Sequence, residues 1–202
     1  IAEGKALFEK GNLKEAKVQF KNALQLNPQL EEGYYGLALL DETKKNWIAM
    51  KTNLQEVIRQ NPEHVEAHVK LGFLSIADLG KAKEHAEIAL KVEPENSKAI
   101  LLDGRLSYEG GRYEEALKQA ERVLIKQPDN PKAFWLKAYT LMAQEQYDRV
   151  LGALNQGLEK VPGNVGLASL KIELHEKLKQ FDEVLKGFDY LVNRHPDDKK
   201  IR

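Results

Sequence analysis

Six of the seven prolines, Pro28, Pro62, Pro94, Pro128, Pro162 and Pro196, stand 34, 32, 34, 34 and 34 residues apart, and a similar run of residues precedes each. A period of that size points to a row of similar helical hairpins rather than to one globular core, because each hairpin must bury its apolar stripe against its neighbours. Aligned on its proline, each unit reads as an amphipathic helix A, a short turn, an amphipathic helix B and an apolar-x-Pro stop. In the first unit Gly4, Gly11, Ala16, Phe20, Ala23, Leu24 and Leu26 hold the register, and in the fourth Gly104, Gly111, Tyr113, Ala116, Val123 and Leu124 do. Their spacing of three, four and seven places one stripe along each helix.

The small residues let two helices joined by a tight turn approach closely, so Gly104 is expected to lie against Ala116. The glycines of Glu109-Gly110-Gly111-Arg112 suit a left-handed C-terminal cap. The recurring proline ends helix B, and Asp129-Asn130 before Pro131 offers an N-cap to the next helix A. In the third unit, of 32 residues, the deficit falls between Ser75 and Ala82 and predicts a shorter helix A or a tighter turn around Asp78-Leu79-Gly80. The small positions coarsen toward the C-terminus, with Gly72, Ala82 and Ala89 replaced by Ile172, Val184 and Leu191. That change predicts a more open last hairpin.

These residues resemble the tetratricopeptide repeat family along essentially the whole chain. The register gives units of about 1-30, 31-64, 65-96, 97-130, 131-164 and 165-198, a single array over 1-202. The resemblance implies an all-α fold, a right-handed superhelical solenoid of six hairpins and about 12 helices, with the A helices lining a concave groove. Beginning at Ile1 and closing on Asp198-Lys199-Lys200-Ile201-Arg202, where a further helix is expected to start, the chain reads as a fragment of a longer protein. The run Ala16-Lys17-Val18-Gln19-Phe20-Lys21-Asn22-Ala23-Leu24 also looks like the tetratricopeptide lipoproteins and scaffolds of bacterial envelope and exopolysaccharide assembly. That likeness implies the periplasm or envelope rather than the cytoplasm.

Offset from the packing stripe by about 100° per residue, the groove positions include Tyr35 and Leu39 in unit two and Phe73 in unit three. Leu101, Arg105 and Tyr108 follow in unit four, and Trp135, Tyr139 and Met142 in unit five. Contiguous exposed apolar area marks interaction sites, and tyrosine and tryptophan are preferred anchors, so this wall is the candidate partner-binding site. The competing reading buries the same residues as ordinary core. Arg105 with Lys98 and Lys132 would add a basic element suited to an acidic or C-terminal carboxylate group, against a reading of all three as a solvated face. The lysine and asparagine set with which tetratricopeptide co-chaperones grip a C-terminal carboxylate is not reproduced, which disfavours that function.

Equal numbers of basic and acidic residues, 31 each, and a pI near 7.2 give no long-range pull toward phosphate backbones. No stretch approaches the roughly 18 apolar residues of a membrane span. Cysteine is absent, which removes disulfides, thiolate metal sites and cysteine nucleophiles. His64 and His68 stand at metal-ligand spacing for a helix, but His64 falls in a turn and His68 on the packing stripe, which favours structural roles. Gly110-Gly111 lacks the lysine and hydroxyl residue of a phosphate loop, no serine sits in a nucleophile elbow, and Glu114-Glu115 suit a helix start. The sequence thus offers neither catalytic residues nor a cofactor or metal site. It points to a non-enzymatic scaffold that binds a peptide or helix of another protein. The alternatives are a polysaccharide-binding periplasmic scaffold, with Trp135 and Tyr139 stacked on sugar rings, and an RNA-binding helical repeat, although no nucleic acid is expected. End-to-end self-association is a further expectation.

Overall fold

The structure is a computed structural model and describes residues 1–196. The described residues form twelve α helices, α1 (Ala2–Glu9), α2 (Leu13–Leu26), α3 (Glu31–Thr43), α4 (Trp47–Gln60), α5 (Val65–Leu74), α6 (Leu79–Val92), α7 (Ser97–Glu109), α8 (Tyr113–Lys126), α9 (Pro131–Ala143), α10 (Tyr147–Lys160), α11 (Val165–Lys177) and α12 (Phe181–Arg194). The fold is all-α, and the helices pair in sequence order into six hairpins. The closing run Asp198 to Arg202, with its expected helix start, lies outside the described residues. No helix of the described residues is long and apolar enough to cross a membrane.

Each B helix ends where the sequence places its stop. Asn27, Asn61, Gln127, Val161 and His195, each preceding a proline, have φ between −138° and −129°. The proline ring excludes the helical conformation there and forces an extended residue. The next helix A is then capped by the turn: Asn130 Oδ1 accepts from the N–H groups of Lys132 and Ala133 at 3.0 and 3.1 Å, and His64 Nδ1 accepts from Ala67 N–H at 3.2 Å.

Turns within hairpins follow one geometry five times. Gly11, Lys45, Gly111, Glu145 and Lys179 all have positive φ, between 55° and 79°. In each case the next residue's N–H reaches back five residues, as Arg112 does to Ser107 at 2.8 Å and Gln146 to Leu141 at 3.0 Å. This is the left-handed helix stop with paired carbonyl capping. The third hairpin omits it. There α5 has 10 residues against 13 in α9, and Asp78 caps α6 by accepting from Lys81 N–H at 3.3 Å.

By contacts, the helices gather into two compact units, Ile1–Leu102 and Asp103–Arg202, with the division inside α7. In the first, Phe20, Leu54, Leu71, Ile100 and Leu102 are fully buried; in the second, Phe134, Leu141, Leu154, Leu167 and Leu174 are. Gly104 lies against α8 at Ala116, as expected, and against a second neighbour in the following hairpin. A Cβ there would stand 2.7 Å from Leu136 Cδ2 and 3.1 Å from Gln119 Cβ, but 3.7 Å from the Ala116 carbonyl. The close approach it permits is mainly to the following hairpin. In the sixth hairpin the small residue changes sides: Ile172 fills the helix A position, and Gly187 on α12 makes room, since a Cβ at Gly187 would meet Ile172 Cγ1 at 2.5 Å. A cleft remains between α10, α11 and α12.

Candidate partner-binding site

One face of α7 and α9 carries residues of matching chemistry at helical spacing. Trp135 and Tyr139, four apart on α9, stack with ring centroids 4.6 Å apart and planes 12° apart. Tyr139 meets Tyr108 of α7 at 5.2 Å, and Tyr108 meets Tyr113, the first residue of α8, at 5.9 Å. Tilted and offset pairs at these distances suit the ring quadrupole. The Arg105 guanidinium lies 5.6 Å from the Tyr108 ring centroid and 5.7 Å from that of Trp135. All five side chains are half-buried, so part of each ring remains open to solvent.

The charge of Arg105 is already balanced within the cluster. Its Nε donates to Glu109 Oε1 at 2.7 Å, one turn along α7. The basic element read from Arg105, Lys98 and Lys132 is therefore not a set of three free cations; Lys98 and Lys132 are exposed residues at helix starts. Burial, then Tyr139 and Glu109, raises the Tyr108 phenol above its ordinary value. The phenol thus stays protonated and available as a donor.

The other expected residues fall differently. Leu101 and Met142 are 6% and 9% exposed, and Met142 joins the core formed by Phe134, Leu141, Val150 and Leu154. Neither can contribute groove surface. A helix A packed on several sides buries a wider arc than its small-residue stripe suggests. Tyr35 and Leu39 are half-buried and Phe73 is 43% exposed, all in the first unit. Tyr35 packs on His64 at 4.8 Å, and burial, then Glu66 and Glu42, pushes its phenol up to about 12. Beside it, Lys70 donates to Glu42 at 2.6 Å.

Two members of the α7–α9 cluster escaped the sequence reading. Glu109 was legible as an i,i+4 partner of Arg105, and Tyr113 occupies the first helix B position, held elsewhere by Leu13, Trp47 and Tyr147. His68 has the structural role expected of it. It is 3% exposed, with Nε2 donating to the Pro62 carbonyl at 2.9 Å and Nδ1 2.9 Å from His85 Nδ1. No group of three or more metal-ligating side chains occurs among the described residues.

Residues 4–41 match the family described as TPR repeat and residues 73–131 the one described as tetratricopeptide repeat. The chain is a tetratricopeptide repeat protein. Residues 109–189 also match the family of anaphase-promoting complex (cyclosome) subunit 3. No curated protein sequence matches significantly. Among solved structures, this tetratricopeptide array is similar in fold to PilW, described as a widely conserved type IV pilus biogenesis factor, with a TM-score of 0.80 at 17% identity over 99% of this chain and 94% of that one. A tetratricopeptide repeat protein of Parabacteroides merdae gives 0.81 at 17% identity over 98% and 78% of the two chains. YrrB, described as having an unusual peptide-binding site, gives 0.64 at 20% identity over 85% and 89%. At these identities the likeness is one of fold.

Proposed function

We propose that this tetratricopeptide array is a protein-interaction scaffold and that the α7–α9 face holds a peptide or helix of a partner protein. The observation that carries the reading is the half-exposed cluster of Arg105, Tyr108, Trp135 and Tyr139, held in place by its own ring contacts. Rigid aromatics and an internally neutralised arginine lose little freedom on binding, which is how interface anchors gain affinity. The fold relative YrrB, named for a peptide-binding site, is in keeping with this role. Wild-type protein and a Trp135→Ala/Tyr139→Ala variant, immobilised side by side, should retain different sets of partners from a lysate of the source cells. Recovery of the same proteins at the same yield by both would discard the reading.

We further propose a bacterial envelope setting, on the likeness of the Ala16–Leu24 run and in keeping with the pilus biogenesis role named for PilW. Fractionation of the source cells tests it; recovery in the cytoplasmic fraction alone rejects it. The polysaccharide alternative has its own readout. In a Trp47→Phe background Trp135 is the sole tryptophan, and quenching of its emission by uronate oligosaccharides would favour sugar stacking. Self-association has a specific observation in α12, where Phe181, Leu185 and Phe188 are 67%, 63% and 46% exposed; sedimentation of a Phe181→Ser/Leu185→Ser variant tests it.

A further inference from the structure

On the α7–α9 face four rings follow one another in contact, Trp135, Tyr139, Tyr108 and Tyr113, with successive centroids 4.6, 5.2 and 5.9 Å apart. Among the described residues the one buried side-chain polar atom without a hydrogen-bond partner is His175 Nε2, on α11. The hydroxyls of Tyr108, Tyr113 and Tyr139 and the Trp135 indole N–H make no hydrogen bond within the described chain either. Since none of them is buried, all four are open to water. The face is also close to neutral, because Arg105 and Glu109 are paired with each other.

An occupant that fits this face brings apolar surface for the rings and hydrogen-bond acceptors for the indole and phenol groups, without net charge. An α-helical segment offers few acceptors, because most of its carbonyls are engaged in its own backbone ladder. A polyproline II segment differs on each count. It has no internal hydrogen bonds, so its carbonyls are free to accept. Its prolines lack the N–H that would otherwise be left unpaired against a ring. Its rise of about 3.1 Å per residue sets alternate residues about 6 Å apart, so they meet successive rings such as Tyr108 and Tyr113, 5.9 Å apart. Little freedom is lost on either side, since the segment is stiff and the rings are braced by one another and by Arg105.

Resting on the reading of this face as a partner-binding surface, we propose that its occupant is a proline-rich segment of another protein in the extended polyproline II conformation. Proline rings lie on Trp135, Tyr139 and Tyr108, and carbonyls of the segment accept from the Trp135 indole N–H and the Tyr108 hydroxyl, the mode by which aromatic-lined surfaces take such segments. The Arg105–Glu109 pair braces the rings and makes no ion pair with the occupant.

The test follows Trp135 emission in the Trp47→Phe protein, titrated with acetyl-decaproline-amide and with an alanine–glutamine helix of about 20 residues. Decaproline should change the emission saturably, with half-saturation at about 1 mM or below, and the helix should not. Tyr108→Phe, which removes one open hydroxyl, should weaken decaproline binding by about fivefold, and Tyr139→Ala by about tenfold, both with the circular dichroism of the parent. Raising NaCl from about 50 to about 500 mM should alter the binding by less than about twofold, since no charge is shared with the occupant. The absence of a saturable response to decaproline, unchanged binding by Tyr139→Ala, binding as tight by the helix or by a uronate oligosaccharide, or a steep salt dependence each overturns the proposal. Partner capture by wild type against Trp135→Ala/Tyr139→Ala is read separately: partners lost by that variant, with no response to decaproline, would discard the polyproline occupant and leave the face as a binding surface.

Discussion

Two stretches of helix A surface, α3–α5 in the first unit and α7–α9 in the second, are built on the same repeat register and end in different chemistry. In the first, Tyr35 is packed on His64 and surrounded by Glu42, Glu66 and Lys70, so its ring is tied into a local network. In the second, Trp135, Tyr139, Tyr108 and Arg105 contact one another, and Trp135 and Tyr139 rest on the core that holds Phe134 and Leu141. They form a platform whose ion pair is internal. The repeat sets where a side chain emerges; the residues beside it decide whether it is tied into a local network or left partly open.

The largest expected effect separates the two faces directly. Trp135→Ala/Tyr139→Ala should weaken partner binding by about thirtyfold or more, the size of a hot spot, whereas Tyr35→Ala should change it by less than about threefold while lowering the thermal midpoint. Equal losses from the two variants, in calorimetric titrations with a captured partner, would break the contrast.

A second difference is acid sensitivity, built into the first unit by His68 and His85. Burial is the main cause that holds both imidazoles below the ordinary histidine value, with His64 adding to it at His68, and His68 and Lys51 adding to it at His85. Below the unfolded value of about 6.5, the unfolded chain therefore binds more protons than the native one. Stability contributed by the neutral pair is present above that pH and is lost as the pH falls toward the depressed native values. Urea midpoints measured between pH 7.5 and 5 should drop in the wild type and drop less in His85→Gln, which keeps a side chain of the kind that Gln119 carries at this position in the fourth hairpin.

Smaller effects probe the turns. Gly111 has φ 72° and open space around a notional Cβ, so Gly111→Ala should cost about 1 kcal/mol by backbone strain alone. Lys45 holds the equivalent position at φ 55°, and Lys45→Gly should raise stability by a few tenths of a kcal/mol. Denaturant midpoints for both variants check the opposite signs.

How much was legible follows the range of each interaction. The proline register located every B-helix stop because the restriction acts on the adjacent residue, and Asn130 and Gly111 announced their caps for the same reason. The left-handed residues Lys45, Glu145 and Lys179 were visible only as repeat equivalents of glycine, since a helix stop can impose that conformation on an unsuited residue. Tyr108, Trp135 and Tyr139 are half-buried, but Leu101 and Met142 are buried, which was not legible because a stripe read from one helix does not show how many neighbours cover it.

By itself the sequence determined the hairpin count, the helix ends and the shortened third unit, all consequences of backbone preferences within a few residues. Only the tertiary structure decided which aromatic rings remain open, which arginine is already neutralised and which histidine keeps an unpartnered nitrogen. Those outcomes depend on side chains distant in sequence: Gly187 opposite Ile172, and Tyr108 against Tyr139.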